Sequence, residues 1–462
     1  MRACSAARCS FPSRLFAHAA RTAGPGARHR RLRPLRPIRL DIRSRPLGGP
    51  MDTDATVYDF DEVIDRRHAP YSYSSKWSTS AATAEHNGVS AITDDHIALF
   101  TADMDFRCAA PIVDALRATA DHGVFGYSTL DGCERYHAAV AGWFARRDGW
   151  KINPDLMTFC AGTVRALQYA IEAFTQPGEG VIIQRPVYPP FAGSVEDAGR
   201  ALLDNHLVRQ ADGAETGDLY YTMDYEGLEE LAARPDATML ILCNPHNPVG
   251  RVWTSEELER VADICTRNGV MIVADEIHGD LLRPGVCMRH LAQVAPYARV
   301  MTCTAVNKTF NLAGLSATNV VFSDARDRVR FERAMRFSEP TPFGISAVIA
   351  AYEQGEPWLE QCLSYLDGTI DAVLGFFAER LPDVRVRRPE GTYVLWFDFE
   401  DRCRALGIDG AELHRRIYEE AKVILQDGVK FDPRDGEFFQ RMCVPSPRSV
   451  LMEACERIAR VL

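Results

Sequence analysis

The stretch Thr302-Cys303-Thr304-Ala305-Val306-Asn307-Lys308-Thr309-Phe310-Asn311-Leu312-Ala313-Gly314-Leu315 decides the fold. It sets one lysine just past an apolar, β-prone run, in a turn whose threonine, asparagine and glycine form loops rather than cores. An amine leaving a buried strand end is costly unless it is paired or chemically used. Upstream, Val270-Met271-Ile272-Val273-Ala274 runs straight into Asp275-Glu276-Ile277-His278, so a second strand ends in a carboxylate. A third, Leu240-Ile241-Leu242-Cys243, runs into the double Asn-Pro turn Asn244-Pro245-His246-Asn247-Pro248. Taken singly, the lysine reads as a solvated surface residue and the aspartate as a helix N-cap.

Outward from these strands, the text from about Ala98 to Asp324 alternates short apolar runs with helix-like segments, the pattern of a mostly parallel α/β sheet. Strands are predicted at 157–160, 180–184, 239–243, 270–274, 300–305 and 318–322. Val164–Phe174 and Ser255–Cys265 carry apolar residues at helical spacing, the second with Thr254 or Ser255 as its N-cap. Beyond Phe343 come long helical patterns, then Val384–Arg387 and Tyr393–Asp398, whose alternation suits a half-exposed sheet.

An amine and an acid at two strand ends match the needs of a pyridoxal phosphate (PLP) site. The amine forms the Schiff base, and the carboxylate keeps the pyridine nitrogen protonated so that the ring accepts electrons. With the double Asn-Pro turn, the chain resembles the fold-type I PLP enzymes of the class I/II aminotransferase superfamily. Its wording is similar to their cystathionine β-lyase (carbon–sulfur lyase) branch, the MalY/PatB group. The resemblance covers nearly everything from Met51 onward.

It implies an α/β fold of the fold-type I transferase kind, with a large, mostly parallel sheet domain over 98–335 and a smaller α+β domain over 336–462. Residues 51–97 would then pack back on the small domain. It makes Lys308 the Schiff-base lysine and α-proton base, Asp275 the partner of the pyridine nitrogen, and Asn247 the partner of the phenolic oxygen. Tyr188, held between Pro186 and Pro189-Pro190, becomes the ring that stacks on the pyridine, and His278 lies near the cofactor. Gly162, Thr163 and Val164, at a strand-to-helix junction, become the phosphate cradle. Tyr127, in Phe125-Gly126-Tyr127-Ser128, would reach the cofactor of the neighbouring subunit, which requires a homodimer. Asp103, in Thr101-Ala102-Asp103-Met104-Asp105-Phe106, stands at the substrate entrance. A guanidinium fork matches a carboxylate, and Arg441 becomes the anchor of the substrate's α-carboxylate, with Arg448 as the second candidate.

The chain departs from the family pattern at four positions near these. Ala161 and Asn307 stand where serine is usual, Cys443 where asparagine is, and Ser316 where many aminotransferases have a phosphate-pairing arginine; the lyase branch shares the last. The reaction implied is β-elimination from cystathionine or a related cysteine S-conjugate, releasing a thiol, pyruvate and ammonia. An aminotransferase shares every residue up to loss of the α-proton and is the alternative. A PLP-binding regulator without turnover is the alternative from another class.

Composition bounds these readings. The chain has 462 residues, 46% apolar and 25% charged, as an ordinary globular protein has. No apolar run is long enough for a membrane span. Thirteen cysteines without a CxxC pair or metal-like spacing favour a reducing cytoplasm and argue against structural zinc; no metal site is expected. Residues 1–50 are rich in arginine, alanine and proline, with Asp41 as their one acid. They read as a targeting peptide, as a basic arm, or as upstream sequence translated ahead of Met51; the last is favoured, and disorder is expected in each case. Without their twelve arginines and one acid, 41 basic residues face 62 acidic ones, a formal charge of −21 against −10 for the whole chain. A body that acidic is a poor match for nucleic acid, so the expected partners are a small amino-acid substrate and a second subunit.

Overall fold

Strands buried on both faces read as continuous apolar runs, and their alternate residues feed two different cores. The computed structural model, which describes residues 56–210, 219–336 and 338–462, shows this in a seven-stranded sheet. Its strands are β1 (Met157–Cys160), β2 (Gly180–Ile183), β3 (Ala201–Asp204), β4 (Ala237–Cys243), β5 (Met271–Asp275), β6 (Val300–Ala305) and β7 (Thr318–Phe322). The order across the sheet is β1-β7-β6-β5-β4-β2-β3. β7 runs antiparallel to both of its neighbours, and the other pairings are parallel. Met239, Ile241, Met271, Val273 and Met301 enter one core, while Leu240, Leu242, Ile272 and Ala274 enter the other.

Helices cover both faces. α1 (Thr163–Phe174) buries Ala166, Leu167, Ala170 and Ile171 against the first core, a stripe at helical spacing. α2 (Ser255–Arg267) buries Leu258, Val261, Ala262 and Cys265 in the second. Its N-cap is Thr254, which forms a capping box with Glu257; such a cap stabilises a helix by about 1 kcal/mol. The expected strands all form, within two residues of their predicted ends. β3 was not expected, because Ala201-Leu202-Leu203-Asp204 is a half-buried edge strand too short to show a period.

A second, antiparallel sheet follows in the order β8 (Arg385–Val386), β9 (Val394–Asp398), β11 (Phe439–Cys443), β10 (Gln426–Asp427). It corrects the expectation of a half-exposed sheet, since β9 and β11 are buried along their whole length. On one face Phe397 packs on Phe377 of the long helix Glu356–Arg380, with ring centroids 4.6 Å apart. On the other, Trp396 stacks on Phe439 at 4.9 Å and meets the core around Tyr221. Ile97–Ala98 pairs in parallel with Val423–Ile424, which ties the start of the fold to its C-terminal part. Residues 1–50 lie outside the described residues. Among the described residues no helix is long and apolar enough to cross a membrane, and each described cysteine is unpaired.

Candidate active site

In an open α/β sheet, ligand-binding side chains gather where loops leave the carboxyl ends of the strands. Cys243, Asp275 and Cys303 lie side by side across β4, β5 and β6. The loops carrying Asn247 and Lys308 therefore leave the sheet on either side of Asp275. Ala305, Thr318 and Cys160 form a second row across β6, β7 and β1, which brings the start of α1 beside the lysine loop.

Lys308 sits in the single helical turn α3 (Val306–Thr309) that follows β6. Its Nζ donates to the carbonyl of Ala102 at 2.6 Å, and Tyr393 Oη donates to the same carbonyl at 2.8 Å. Loss of water depresses its pKa, Cys443 opposes that shift, Arg441 adds to it, and Asp103 and Asp275 oppose it. Asp275 shows the reverse. Burial raises its pKa to about 7, against the pull of the Ile277 N–H and of Lys308. The hydrogen bond from Ile277 is long, 3.4 Å. A buried carboxyl so weakly paired is costly in its charged form unless a cation comes to face it.

Arg441, on β11, is 2% exposed. Its Nη1 donates to Asn247 Oδ1 at 3.1 Å and its Nη2 to the Phe100 carbonyl at 2.6 Å, while Nε has no hydrogen-bond partner among the described residues. Among the described residues it forms no ion pair with a carboxylate. Cys443 keeps a weak contact with the same guanidinium, 3.5 Å from Sγ to Nη2. Tyr188 lies close enough to Asp275 and Arg441 for both to act on its hydroxyl, which burial pushes up. His278 is buried with Nδ1 unpartnered, edge-on to Tyr393 at 5.5 Å. Burial, then Lys308 and Arg441, hold it well below the usual histidine range, so it is neutral at physiological pH. The second carboxylate candidate, Arg448, instead bonds Thr369 and lies over the Tyr365 ring.

At the start of α1, Gly162 has φ of 113°, a conformation side chains rarely adopt, and a Cβ there would meet nothing within 4 Å. The Gly162 N–H already donates to the Cys160 carbonyl at 2.8 Å. The donors left open at this helix start include those of Thr163 and Val164 in the first helical turn. Thr163 Oγ1 lies 2.9 Å from Thr318 Oγ1. Beside Ala161, where a hydroxyl was expected to be missing, Ser338 Oγ accepts the Ala161 N–H at 3.2 Å. Asn307, its amide nitrogen turned toward the carbonyls of Leu312 (3.2 Å) and Ala317 (3.3 Å), is occupied within its own loop.

The 101–106 loop is fixed from two sides. Asn311 donates to the carbonyls of Met104 and Phe106, both at 3.0 Å, and accepts the Met104 N–H. Asp105 is saturated by Arg66, Lys76, Trp77 and Ser446. Asp103 is different: Oδ2 pairs with Arg66 at 2.8 Å, and Oδ1 is buried without a hydrogen bond. Sequence reasoning missed Tyr393 and Asn311. Tyr393 reads as one more aromatic at a strand start, and Asn311 as one more loop former, although its φ of 58° is a conformation asparagine tolerates. Tyr127 is 97% exposed and stands apart from these residues.

The chain belongs to the aminotransferase class I and II family, whose sequence model matches residues 95–458. It is 39% identical over 373 residues to the cystathionine beta-lyase PatB of Bacillus subtilis (strain 168), covering 80% of this chain and 93% of that protein. It is 30% identical over 402 residues to protein MalY of Escherichia coli (strain K12), covering 86% and 96%. The crystal structure of cystalysin from Treponema denticola, which contains a pyridoxal 5'-phosphate cofactor, superposes with a TM-score of 0.79 at 32% identity. That match covers 88% of this chain and 99% of that one. The residues present fit such a cofactor: a buried, weakly paired carboxyl at Asp275, open space before Gly162 at a helix start, an unpartnered His278 Nδ1, and a lysine with a depressed pKa.

Proposed function

We propose that this chain is a PLP-dependent carbon–sulfur β-lyase that acts on L-cystathionine or related cysteine S-conjugates, as a cytoplasmic homodimer. The observation that carries the reading is the meeting of Lys308, Asp275 and an Arg441 without a carboxylate partner beneath the 101–106 loop. The similarity to PatB and cystalysin supports lyase chemistry at that site.

When bound, the cofactor supplies an electron-withdrawing ring that spreads the negative charge left at the substrate's α-carbon. Thr163 and Val164 would offer N–H groups to its phosphate, Asn247 and Asp275 would hold its ring edge, and Tyr188 would pack against its ring. Arg441 binds the substrate's α-carboxylate, a charge-assisted contact that brings the α-proton to Lys308. Lys308, whose loss of hydrating water depresses its pKa and so favours the neutral amine, accepts this proton. The β-carbon–sulfur bond then breaks, the thiolate leaves, and the three-carbon remainder takes up water to give pyruvate and ammonia. His278, neutral and unpartnered at Nδ1, orients rather than titrates.

Omitting a 2-oxo acid acceptor separates the two reactions open to this site. Purified protein given cystathionine alone is expected to release pyruvate and thiol in equal amounts over many turnovers. A transaminase stops after one turnover until an acceptor arrives. Activity only with 2-oxoglutarate, with no thiol freed, makes the aminotransferase reading the right one.

The dimer is tested by mixing chains. Tyr127 is almost fully exposed, in a run with Val124 and Phe125 also exposed. If Tyr127 completes the partner's site, inactive Lys308→Ala and impaired Tyr127→Ala chains together regain part of the activity, because one site of each hybrid holds both intact residues. A fully active monomer in sedimentation removes the shared site.

A further inference from the structure

Between the loop that follows His278 and the first turns of the helix Glu356–Arg380 lies a cavity of about 700 Å³. Arg283, a guanidinium 4% exposed, is among the residues that line it, and among the described residues its Nε and Nη1 have no hydrogen-bond partner. The remaining nitrogen, Nη2, reaches only the Thr392 carbonyl, at a long 3.3 Å. The nearest carboxylate oxygen, Asp367 Oδ1, stands 3.7 Å from Nη1. That oxygen is already held at 2.5 Å by Arg388 Nη2. Burial penalises the Arg283 charge most; Asp367 attracts it across the 3.7 Å gap, and Arg388 repels it less strongly than that. The other acids at the cavity are engaged: Glu356 and Glu360 with Arg147, Asp280 with Trp143 and Thr309, and Asp148 with His290. Arg289, on the rim, forms no ion pair among the described residues.

A buried guanidinium with two unsatisfied nitrogens is destabilising unless an anion completes it. We propose that this cavity binds a small oxyanion, a phosphate or a carboxylate, on Arg283, at a site separate from the Lys308 cluster. The cavity is much larger than one oxyanion group, so it has room for an organic molecule bearing one. The site is also wired to the catalytic one. The Arg283 N–H donates to the Glu390 carbonyl at 2.9 Å, and Leu282 bridges Gly391. The turn so held leads into Tyr393, and Leu281 donates back to the His278 carbonyl.

The test uses the full chain loaded with PLP, so that the cofactor's own phosphate cradle is filled. Thermal unfolding is followed while inorganic phosphate, and separately acetate, is titrated at constant ionic strength. A ligand that binds only the folded state raises the midpoint saturably. The expected result is a rise of a few degrees with one of the two anions in the wild type and none in Arg283→Met; the anion that acts identifies the group recognised. Equal rises in both proteins, or no saturable rise with either anion, overturn the proposal. If Arg283→Met fails to fold, wild-type crystals soaked in selenate decide the matter. An anomalous peak within hydrogen-bond distance of the Arg283 guanidinium supports the site, and an empty cavity overturns it.

Discussion

Lys308→Ala is expected to fold, to lose turnover by roughly a thousand-fold or more, and to leave no pyridoxyl group on the chain after borohydride reduction. The fold is expected to survive because the side chain is half-buried and makes one hydrogen bond, to the Ala102 carbonyl, which Tyr393 Oη continues to satisfy. The chemistry is expected to fail because no other lysine stands at a strand end facing Asp275. Lys76 is buried, but its amine is held by Asp105 at 2.8 Å and by Ser446. Mass spectrometry of the reduced wild type is expected to find the label on the peptide carrying Lys308. A label retained in Lys308→Ala, at any other lysine, sinks the assignment. Arg441→Ala serves as the contrast: it is expected to keep the label, since the role proposed for its guanidinium is to bind substrate, and chiefly to raise KM.

What could be read from the residues follows from which interactions are local. The central strands were legible because burial on both faces demands unbroken apolar runs, and β4 to β6 supply them. The placement of Lys308, Asp275 and Asn247 at neighbouring strand ends was legible because each stands at the end of such a run or shortly after it. β3 was not, since an edge strand half covered by neighbours carries no distinctive pattern. The second sheet was misjudged for a related reason. The alternation around Trp396 looks like one wet face, yet Phe431 and Phe439 from a distant part of the chain cover it. Tyr393 and Asn311 stayed hidden because their roles are hydrogen bonds to the backbone of the 102–106 loop, more than 200 residues away in sequence. The spent Gly162 N–H is likewise a matter of geometry, invisible in the string Cys160-Ala161-Gly162-Thr163.

Asp275→Ala is expected to fold, to bind PLP weakly and to turn over about a hundred- to a thousand-fold more slowly, the usual cost of removing one pre-oriented electrostatic partner. The same residue makes a second, independent signature. In the cofactor-free protein burial lifts its pKa from the ordinary 3.8 to about 7. A carboxyl whose folded pKa is raised holds its proton in the folded state over that window. The stability it confers is therefore full below about pH 4 and is lost as pH rises toward 7, by roughly 4 kcal/mol at most. Bound cofactor reverses the balance, because a protonated pyridine nitrogen favours the ionised carboxylate. Cofactor affinity is thus expected to rise between pH 6 and pH 8, while the cofactor-free protein becomes easier to unfold over the same range. Urea unfolding of the cofactor-free chain, beside absorbance titration with PLP, measures both. In Asp275→Ala the stability of the cofactor-free protein is expected to flatten with pH between 5 and 8, and the rise in cofactor affinity to shrink. Near-normal turnover in that variant, or an unchanged pH dependence of its unfolding, means that another group faces the ring nitrogen and that the buried carboxyl at the end of β5 serves the fold alone.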